Sequence, residues 1–341
     1  MNWGGAWHVY ALEVSEEGTL FAATEPAARV FRSRTGGLTW TECATLPGAS
    51  GAFSLLAAAD GSLYVGTYPE GRVFRSTDEG RTWSATARIP DATHVRALVE
   101  LDGGVVMAGV TADGPAVFAS RDQGVSWRPT GELHEMETGV RSLYYTAAGA
   151  VLCGGLEGSV HYSTDGGMAW NEAFIPGDGR NGVRAESFLE RADGTLFMGG
   201  FVHAKGARVW TSDDGGRGWQ QTTLGEIQFE AANGDSLRAV HGFALAETDD
   251  GELLLGTEPG VGGVVLRSLD DGASWHREGV LSGAFQGLCM TRLPGGAILV
   301  GTTPNGDVFR WNPSGRGGLI GLHEGWRGSV APTRSARRRR R

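Results

Sequence analysis

Residues 76–83 read Ser-Thr-Asp-Glu-Gly-Arg-Thr-Trp, and this short stretch decides the fold because its pattern returns along the whole chain. Five complete copies of Ser-x-Asp-x-Gly-x-x-Trp, each placed after an apolar segment, begin at Ser76, Ser120, Ser163, Ser212 and Ser268. An earlier copy from Ser33 has Thr35 in place of the aspartate, and a worn copy from Trp311 keeps only Gly315. Successive starts lie 43, 44, 43, 49, 56 and 43 residues apart.

A period of about 43 residues with strand-like content is typical of a radial array of small sheets. In the second unit, short apolar runs surround the Asp60-Gly61 turn and the box, as expected for four consecutive strands A to D. A column of small residues followed by a column of large apolar residues recurs seven times at the start of strand A. The sequence therefore predicts an all-β fold, a seven-bladed β-propeller of four-stranded antiparallel blades over residues 1–325.

Composition narrows the functional class. The 56 glycines suit many tight hairpins, and no uninterrupted apolar run is long enough to span a membrane. Cys43, Cys153 and Cys289 are few and far apart within strand patterns, so we expect reduced core residues rather than disulfides or metal ligands. The first residues lack the features of a secretory leader, which favours a cytoplasmic location. No metal-ligand spacing or phosphate-binding loop is found, and no cofactor is predicted.

The charge is distributed unevenly. The formal net charge is −9, although six arginines lie in the last eight residues, so the remaining chain is more acidic still. An acidic body is a poor match for nucleic acid, whose affinity comes from phosphate neutralisation. Residues 326–341 are predicted to form a disordered, Arg-rich tail that binds nucleic acid weakly at most. We expect a monomer whose partner is a small anionic ligand, a glycan or a protein segment.

The repeated pattern resembles the Asp-box, or bacterial neuraminidase repeat, of the sialidase-like propellers. The resemblance covers nearly the whole chain and extends to sialidases, xyloglucan-degrading glycoside hydrolases, sorting receptors and a photosystem II assembly factor. It implies that the boxes lie on the face opposite the ligand site. The connections from strand D to A and from strand B to C then belong to the ligand face.

Sialidases of that family carry an Arg-Ile-Pro motif at the start of the propeller, three arginines that hold a carboxylate, and a tyrosine paired with a glutamate. The triplet 88–90 has the right letters but follows the box of blade 2, where other blades have Leu46-Pro47 and Ile175-Pro176. Blade 1 has His8-Val9-Tyr10 where the arginine belongs, and sialidases have six blades. The triplet is therefore interpreted as part of the blade repeat.

The candidate site is the mouth of the central channel. Seven residues at the start of strand A are expected to surround it: Tyr10, Phe53, Arg96, Arg141, Glu186, Phe243 and Leu288. The connections from strand B to C add further residues, including Glu25, Tyr68 and Glu258. The predicted ligand-binding residues are His8, Tyr10, His94, Arg96, Arg141, Arg184, Glu186, His203, Arg238 and His241.

Two functions are compatible with this arginine-rich mouth. In the first, the propeller is non-catalytic, and its arginines bind a carboxylate or sulfate through paired hydrogen bonds. In the second, it is a glycosidase or polysaccharide lyase in which the arginines hold an acidic sugar and a His or Glu transfers a proton. A purely structural alternative pairs each arginine with a neighbouring acid, such as Glu186, Glu230 or Glu135.

Overall fold

The computed structural model describes residues 8–114, 116–133, 137–176, 182–223, 227–230, 236–258, 262–313 and 319–322. These residues form seven four-stranded antiparallel sheets and one two-stranded hairpin, and their single helical element is the short turn Asp102–Gly104. Each sheet follows the chain order A-B-C-D without a crossover. The predicted seven-bladed propeller is confirmed. The Arg-rich tail lies outside the described residues.

Each blade consists of four strands, A to D, which follow one another along the chain. Blades 1 and 2 contain His8–Val14, Leu20–Glu25, Arg29–Ser33 and Thr41–Thr45, then Gly51–Ala57, Leu63–Tyr68, Val73–Ser76 and Ser84–Ala85. Blades 3 and 4 contain Ala92–Leu101, Val105–Ala112, Val117–Ser120 and Arg128–Pro129, then Val140–Tyr145, Val151–Gly155, Val160–Ser163 and Asn171–Glu172. Blade 5 contains Val183–Glu190, Leu196–Val202, Gly206–Ser212 and Gln220–Gln221. Blades 6 and 7 contain His241–Glu247, Leu253–Glu258, Val264–Ser268 and His276–Val280, then Gln286–Arg292, Ile298–Thr303, Val308–Trp311 and Ile320–Gly321.

The box closes the turn between strands C and D. In blade 2, Ser76 Oγ donates to Asp78 Oδ1 at 2.8 Å and accepts from the Gly80 amide at 3.0 Å. The same Asp78 oxygen accepts from the Thr82 amide at 2.9 Å, and hydrogen bonds led by the Thr82 hydroxyl lower the pKa of Asp78 to about 2. Gly80 has a φ of 71°, a conformation that only glycine adopts without strain. The box is thus a structural turn.

The Arg-Ile-Pro triplet has a packing role. Ile89 is fully buried in the apolar cluster shared by blades 2 and 3. Leu46 and Ile175, its counterparts in other blades, pack in the equivalent clusters. The interpretation of this triplet as a blade-repeat feature agrees with that placement.

The ring closes between blades 7 and 1 through side chains and single hydrogen bonds. Strand D of blade 7, Ile320–Gly321, pairs with the preceding strand of the same blade, so the C-terminal part of the chain supplies it. The alternative supplier, residues 3–7, lies outside the described residues. Val9 and Leu299 belong to one apolar cluster that joins the two blades, and Arg310 Nη1 donates to the Gly36 carbonyl at 2.7 Å.

The longest repeat contains an insertion. Between blades 5 and 6, Gln228–Glu230 and Ser236–Arg238 form a separate antiparallel hairpin. Its residue Phe229 is buried in the cluster between these blades. This hairpin accounts for the 56-residue spacing of the boxes at Ser212 and Ser268.

Every strand A contains a β-bulge near its start. In blade 2, Ala52 pairs with Thr67 and Ser54 with Gly66, so Phe53 has no partner in the ladder. Equivalent shifts occur in the other blades, and the unpaired residues are Tyr10, Phe53, Arg96, Arg141, Glu186, Phe243 and Leu288. A bulge redirects the side chain of its extra residue. These seven are the residues that the sequence placed around the channel.

Beyond the bulge, strand B needs a very small residue because the next blade approaches closely. A Cβ on Gly66 would lie 2.3 Å from Ser54 Oγ and 2.7 Å from the Val95 carbonyl oxygen of blade 3. Five other blades have glycine at this position, whereas blade 1 has alanine: Gly109, Gly154, Gly199, Gly256, Gly301 and Ala23.

Gly66→Ala is expected to lower the free energy of unfolding by about 2 kcal/mol, because the backbone carbonyl of Val95 cannot move without displacing strand A. Urea denaturation followed by tryptophan fluorescence measures this loss. Gly199→Ala is the matched control: its three nearest new contacts are side-chain atoms of Leu245 and Ser187, and none of them is a backbone atom. An equal loss in both variants would contradict the assigned cause.

Candidate functional site

The bulged residues surround a cavity of about 920 Å³ at one end of the channel. All seven line it, together with residues near the C-terminal end of strand B such as Glu25, Tyr68 and Phe201. No box residue lines it in the described part of the chain, because strand C carries the boxes to the opposite face. A volume of this size suits a small ligand or the end of a larger one.

One wall, from blades 3 to 5, is cationic. Arg141 Nε donates to Glu186 Oε1 at 2.8 Å, and only 8% of the Glu186 side chain is exposed. Burial raises the pKa of Glu186 to about 7, although the charges of Arg141, Arg184 and Arg96 act in the opposite direction. Three guanidinium groups therefore share a single acid.

The other two arginines contact rings and a hydroxyl. Arg96 Nε donates to Thr111 Oγ1 at 3.2 Å, and its guanidinium carbon lies 5.3 Å from the centre of the Phe53 ring. The guanidinium carbon of Arg184 lies 5.8 Å from the centre of the Phe201 ring. In the described part of the chain, neither arginine forms an ion pair within 4.0 Å. Arginine stacked on an aromatic ring keeps its donors available for a ligand.

An aromatic wall from blades 1 to 3 continues this surface. The ring centres of Tyr10 and Phe53 are 4.4 Å apart, and those of Phe53 and Tyr68 are 5.2 Å apart. His94 stacks on Tyr68 at 5.0 Å with an angle of 6° between the rings. Burial lowers the pKa of His94, so its ring is neutral near pH 7. This wall presents apolar faces with polar edges.

A carboxylate lies within the aromatic wall. The hydroxyl of Tyr68 donates to Glu25 Oε1 at 2.7 Å, and the phenol of Tyr10 lies close enough to interact with the charge of Glu25. Burial is the main cause that raises the pKa of Tyr10, with Glu25 adding to it. The hydrogen bond to Glu25 also raises the pKa of Tyr68, so both phenols remain protonated at neutral pH.

The remaining rim belongs to blades 6 and 7. His241 Nδ1 lies 3.0 Å from Glu258 Oε2, and the amide of Gln286 donates to the same oxygen at 2.5 Å. The His241 ring meets Phe201 edge-on at 4.3 Å between centres. The Glu258 carboxylate is therefore already engaged by two neighbouring side chains.

The structure places the ten predicted residues in three groups. Seven line the cavity: Tyr10, His94, Arg96, Arg141, Arg184, Glu186 and His241. His8 stacks on Tyr10 and hydrogen-bonds Thr303, beside the cavity. His203, which follows strand B of blade 5, and Arg238, which belongs to the inserted hairpin, line an adjoining pocket of about 120 Å³ that shares Phe201 and His241 with the cavity.

Other predictions for this site have mixed outcomes. Glu186 is the partner of Arg141, whereas Glu135 and the side chain of Glu230 lie outside what the structure describes. Phe201 and Gln286 line the cavity but were missed. Both could have been predicted from their positions in the repeat. Phe201 occupies in blade 5 the strand-B position that Glu25 occupies in blade 1, and Gln286 occupies in blade 7 the strand-A position that Arg184 occupies in blade 5.

Two kinds of feature are absent from the residues that the structure describes. No three His, Cys, Asp or Glu side chains among them are grouped so that they could hold a metal ion. Within the same residues, no helix has the length and apolar character needed to cross a bilayer.

No protein-family model matches this sequence, and no curated protein matches it. Solved propellers do match the fold. A streptogramin B lyase has a TM-score of 0.65 and 12% identity, covering 89% of this chain and 93% of the lyase. YCF48 bound to D1 peptide has a TM-score of 0.65 and 16% identity, covering 90% of this chain and 92% of the other.

The GH74 xyloglucanase from Xanthomonas campestris has a TM-score of 0.69 and 18% identity over 93% of this chain. This chain spans only 55% of that enzyme's chain. At such identities the likenesses support the seven-bladed fold alone. They include enzymes and a protein bound to a peptide, so they leave the activity open.

Proposed function

We propose that this chain is a non-catalytic Asp-box propeller that binds a carboxylate- or sulfate-bearing ligand in the cavity. The ligand is a small acid, an acidic glycan or a protein segment. The Asp-box assignment is supported by five complete boxes, in which the serine, aspartate and glycine form one hydrogen-bonded turn. The cytoplasmic location and the monomeric state stay predictions from the sequence.

The excess of arginine over acid on the cationic wall is the observation that carries this proposal. Glu186 compensates Arg141, whereas Arg96 and Arg184 contact aromatic rings. A ligand carboxylate can accept paired hydrogen bonds from such guanidinium groups. Removal of water from the cavity would strengthen these bonds.

The aromatic surfaces and one structural neighbour favour an extended ligand. Phe53 and Phe201 present ring faces beside Arg96 and Arg184, so an apolar group can pack next to the acid. YCF48, which has the same fold over nearly its full length, is known bound to a peptide. A peptide segment is therefore among the ligands that we propose.

A glycosidase or lyase acting on an acidic sugar is the second candidate. It is favoured by Glu186, whose pKa of about 7 suits a general acid or base. The ion pair with Arg141 counts against it, because that carboxylate is already engaged at 2.8 Å. Hydrolysis of 4-nitrophenyl glucuronide, measured with wild type and Glu186→Gln, separates the two candidates. We expect no turnover from either protein.

Arg184→Ala is expected to weaken benzoate binding by about tenfold or more, since a charge-assisted hydrogen bond contributes about 1.5–3 kcal/mol. Isothermal titration calorimetry measures this change. Benzamide, a neutral analogue, should bind wild type more weakly than benzoate. The control is Arg121→Ala, because Arg121 is exposed within a box on the opposite face. Equal affinities of the wild type for benzoate and benzamide, or a benzoate affinity that Arg184→Ala does not change, would contradict the proposal.

A further inference from the structure

The carboxylate of Glu25 differs from the other acids at the cavity because it lacks a basic partner among the described residues. Glu186 pairs with Arg141, and Glu258 is held by His241 and Gln286. Glu25 occupies in blade 1 the same strand-end position as Glu258 in blade 6, since each pairs across the ladder with the first histidine of strand A. The two glutamates therefore form a natural comparison.

The neighbours of Glu25 leave its negative charge uncompensated. Its hydrogen-bond donor is the phenol of Tyr68, which carries no charge. His8, its partner across the ladder, and His94, which stacks on Tyr68, are basic residues close to it, and burial lowers the pKa of both rings. A carboxylate accepts about four hydrogen bonds, so the single phenol donor leaves capacity for a further donor.

The surroundings of Glu25 suit a cation. The rings of Tyr68 and Tyr10 lie beside it, and the Phe53 ring packs between these two; aromatic faces attract ammonium and amidinium groups. Gly51 makes this arrangement possible, because a Cβ there would lie 2.6 Å from Cε1 of the Tyr68 ring and 3.3 Å from Glu25 Cβ. The absence of a side chain at Gly51 therefore leaves room for the Tyr68 ring to lie against the Glu25 side chain.

We propose that Glu25, Tyr10 and Tyr68 form a subsite for a protonated amine of the ligand. An ammonium group would donate to the remaining acceptor capacity of Glu25 while it contacts the rings. Combined with the proposed acid-binding function of Arg96 and Arg184, on which this second step rests, the subsite makes the preferred ligand amphoteric. Such a ligand carries an acid at one end and an amine at the other.

The test uses four small probes that share a benzene ring: benzoate, benzylamine, benzyl alcohol and 4-(aminomethyl)benzoate. Titration calorimetry with wild type should give benzylamine an affinity about tenfold higher than benzyl alcohol. 4-(Aminomethyl)benzoate should bind about tenfold tighter than benzoate. Glu25→Gln should remove both preferences without weakening benzoate binding, because the substitution takes a negative charge out of the cavity.

Two further variants test whether the amine preference depends on Glu25 specifically. Glu258→Gln is the matched control and should keep both preferences, because the Glu258 carboxylate is already engaged by His241 and Gln286. Tyr68→Phe removes the hydroxyl that holds Glu25 in place but keeps the ring and the carboxylate charge, so it should reduce the amine preference without abolishing it. Thermal unfolding of each variant checks that it is folded.

Separate outcomes identify which proposal fails. Benzylamine binding that Glu25→Gln does not change, or equal binding of benzylamine and benzyl alcohol, would overturn the amine subsite. Benzoate that fails to bind, with benzylamine still bound through Glu25, would overturn the proposed acid-binding function instead. Loss of the amine preference in Glu258→Gln would contradict the proposal, because it would place the amine at Glu258 rather than at Glu25.

Discussion

Trp219→Ala is expected to lower the free energy of unfolding by about 3–5 kcal/mol. This is the largest loss expected among the tryptophans that end the five complete boxes. The Trp219 side chain is 1% exposed and packs at 5.9 Å from the ring of Phe188. Its Nε1 donates to the Gly216 carbonyl at 3.1 Å. Truncation leaves a cavity between blades and an unsatisfied carbonyl at the turn.

Trp83→Ala is the matched control for this stability measurement. Trp83 also ends a complete box and also donates to its box glycine at 3.1 Å, but its side chain is only half-buried. Urea denaturation should show a loss less than about half of that for Trp219→Ala. Equal losses would mean that the hydrogen-bonded turn, rather than burial between blades, determines the contribution of the tryptophan.

The part of the fold that was predictable from sequence is the part set by local chemistry. Ser76, Asp78 and Gly80 act within a single turn, so their spacing alone indicates where strand C ends. The repeat of that turn then fixes the number of blades. The resemblance to the Asp-box propellers implied that the boxes lie opposite the ligand site, and the reversal of successive antiparallel strands then assigned the D-to-A and B-to-C connections to the ligand face.

Features that depend on pairing between distant segments could not be derived in this way. The bulge at Phe53 exists only because strand B offers Thr67 and Gly66 in a particular register. The Leu237-Arg238 pair is similar to the pairs Val95-Arg96 and Val140-Arg141 in strand A, yet it belongs to an inserted hairpin. Sequence pattern gives no register, and the 56-residue spacing indicates extra chain without saying which residues form it.

The candidate site shows the same limit. Residue type and position were sufficient to bring Arg96, Arg141 and Glu186 to one cavity. Which arginine pairs with Glu186 depends on distances between blades, as does the separation of Glu25 from the guanidinium groups. The different environments of Glu25 and Glu258, at equivalent positions, follow from neighbouring blades rather than from their own strands.

Arg141→Ala is expected to lower the free energy of unfolding by about 3–5 kcal/mol under alkaline conditions, because it leaves the buried Glu186 carboxylate without its direct partner. The loss should depend on pH. Burial already raises the pKa of Glu186 from its ordinary value of 4.5 to about 7 in the folded protein, and loss of the Arg141 charge raises it further.

The sign of this dependence follows from proton linkage. A carboxyl whose pKa is raised by folding contributes stability at low pH, and this contribution is lost as pH rises through the folded-state value. Arg141→Ala should therefore be close to wild type at about pH 5, where Glu186 is protonated in the folded variant, and strongly destabilised at about pH 9. Urea titrations at the two pH values measure the difference.

The double variant Arg141→Ala, Glu186→Gln separates charge from packing. A neutral amide at position 186 removes the uncompensated charge, so the double variant should regain most of the stability lost at alkaline pH. A destabilisation by Arg141→Ala that is equal at both pH values, and unchanged in the double variant, would show that the stem of Arg141 acts by packing alone. Arg141 would then be free of its assigned role as the counter-charge of Glu186, and all three arginines would be available to an acidic ligand.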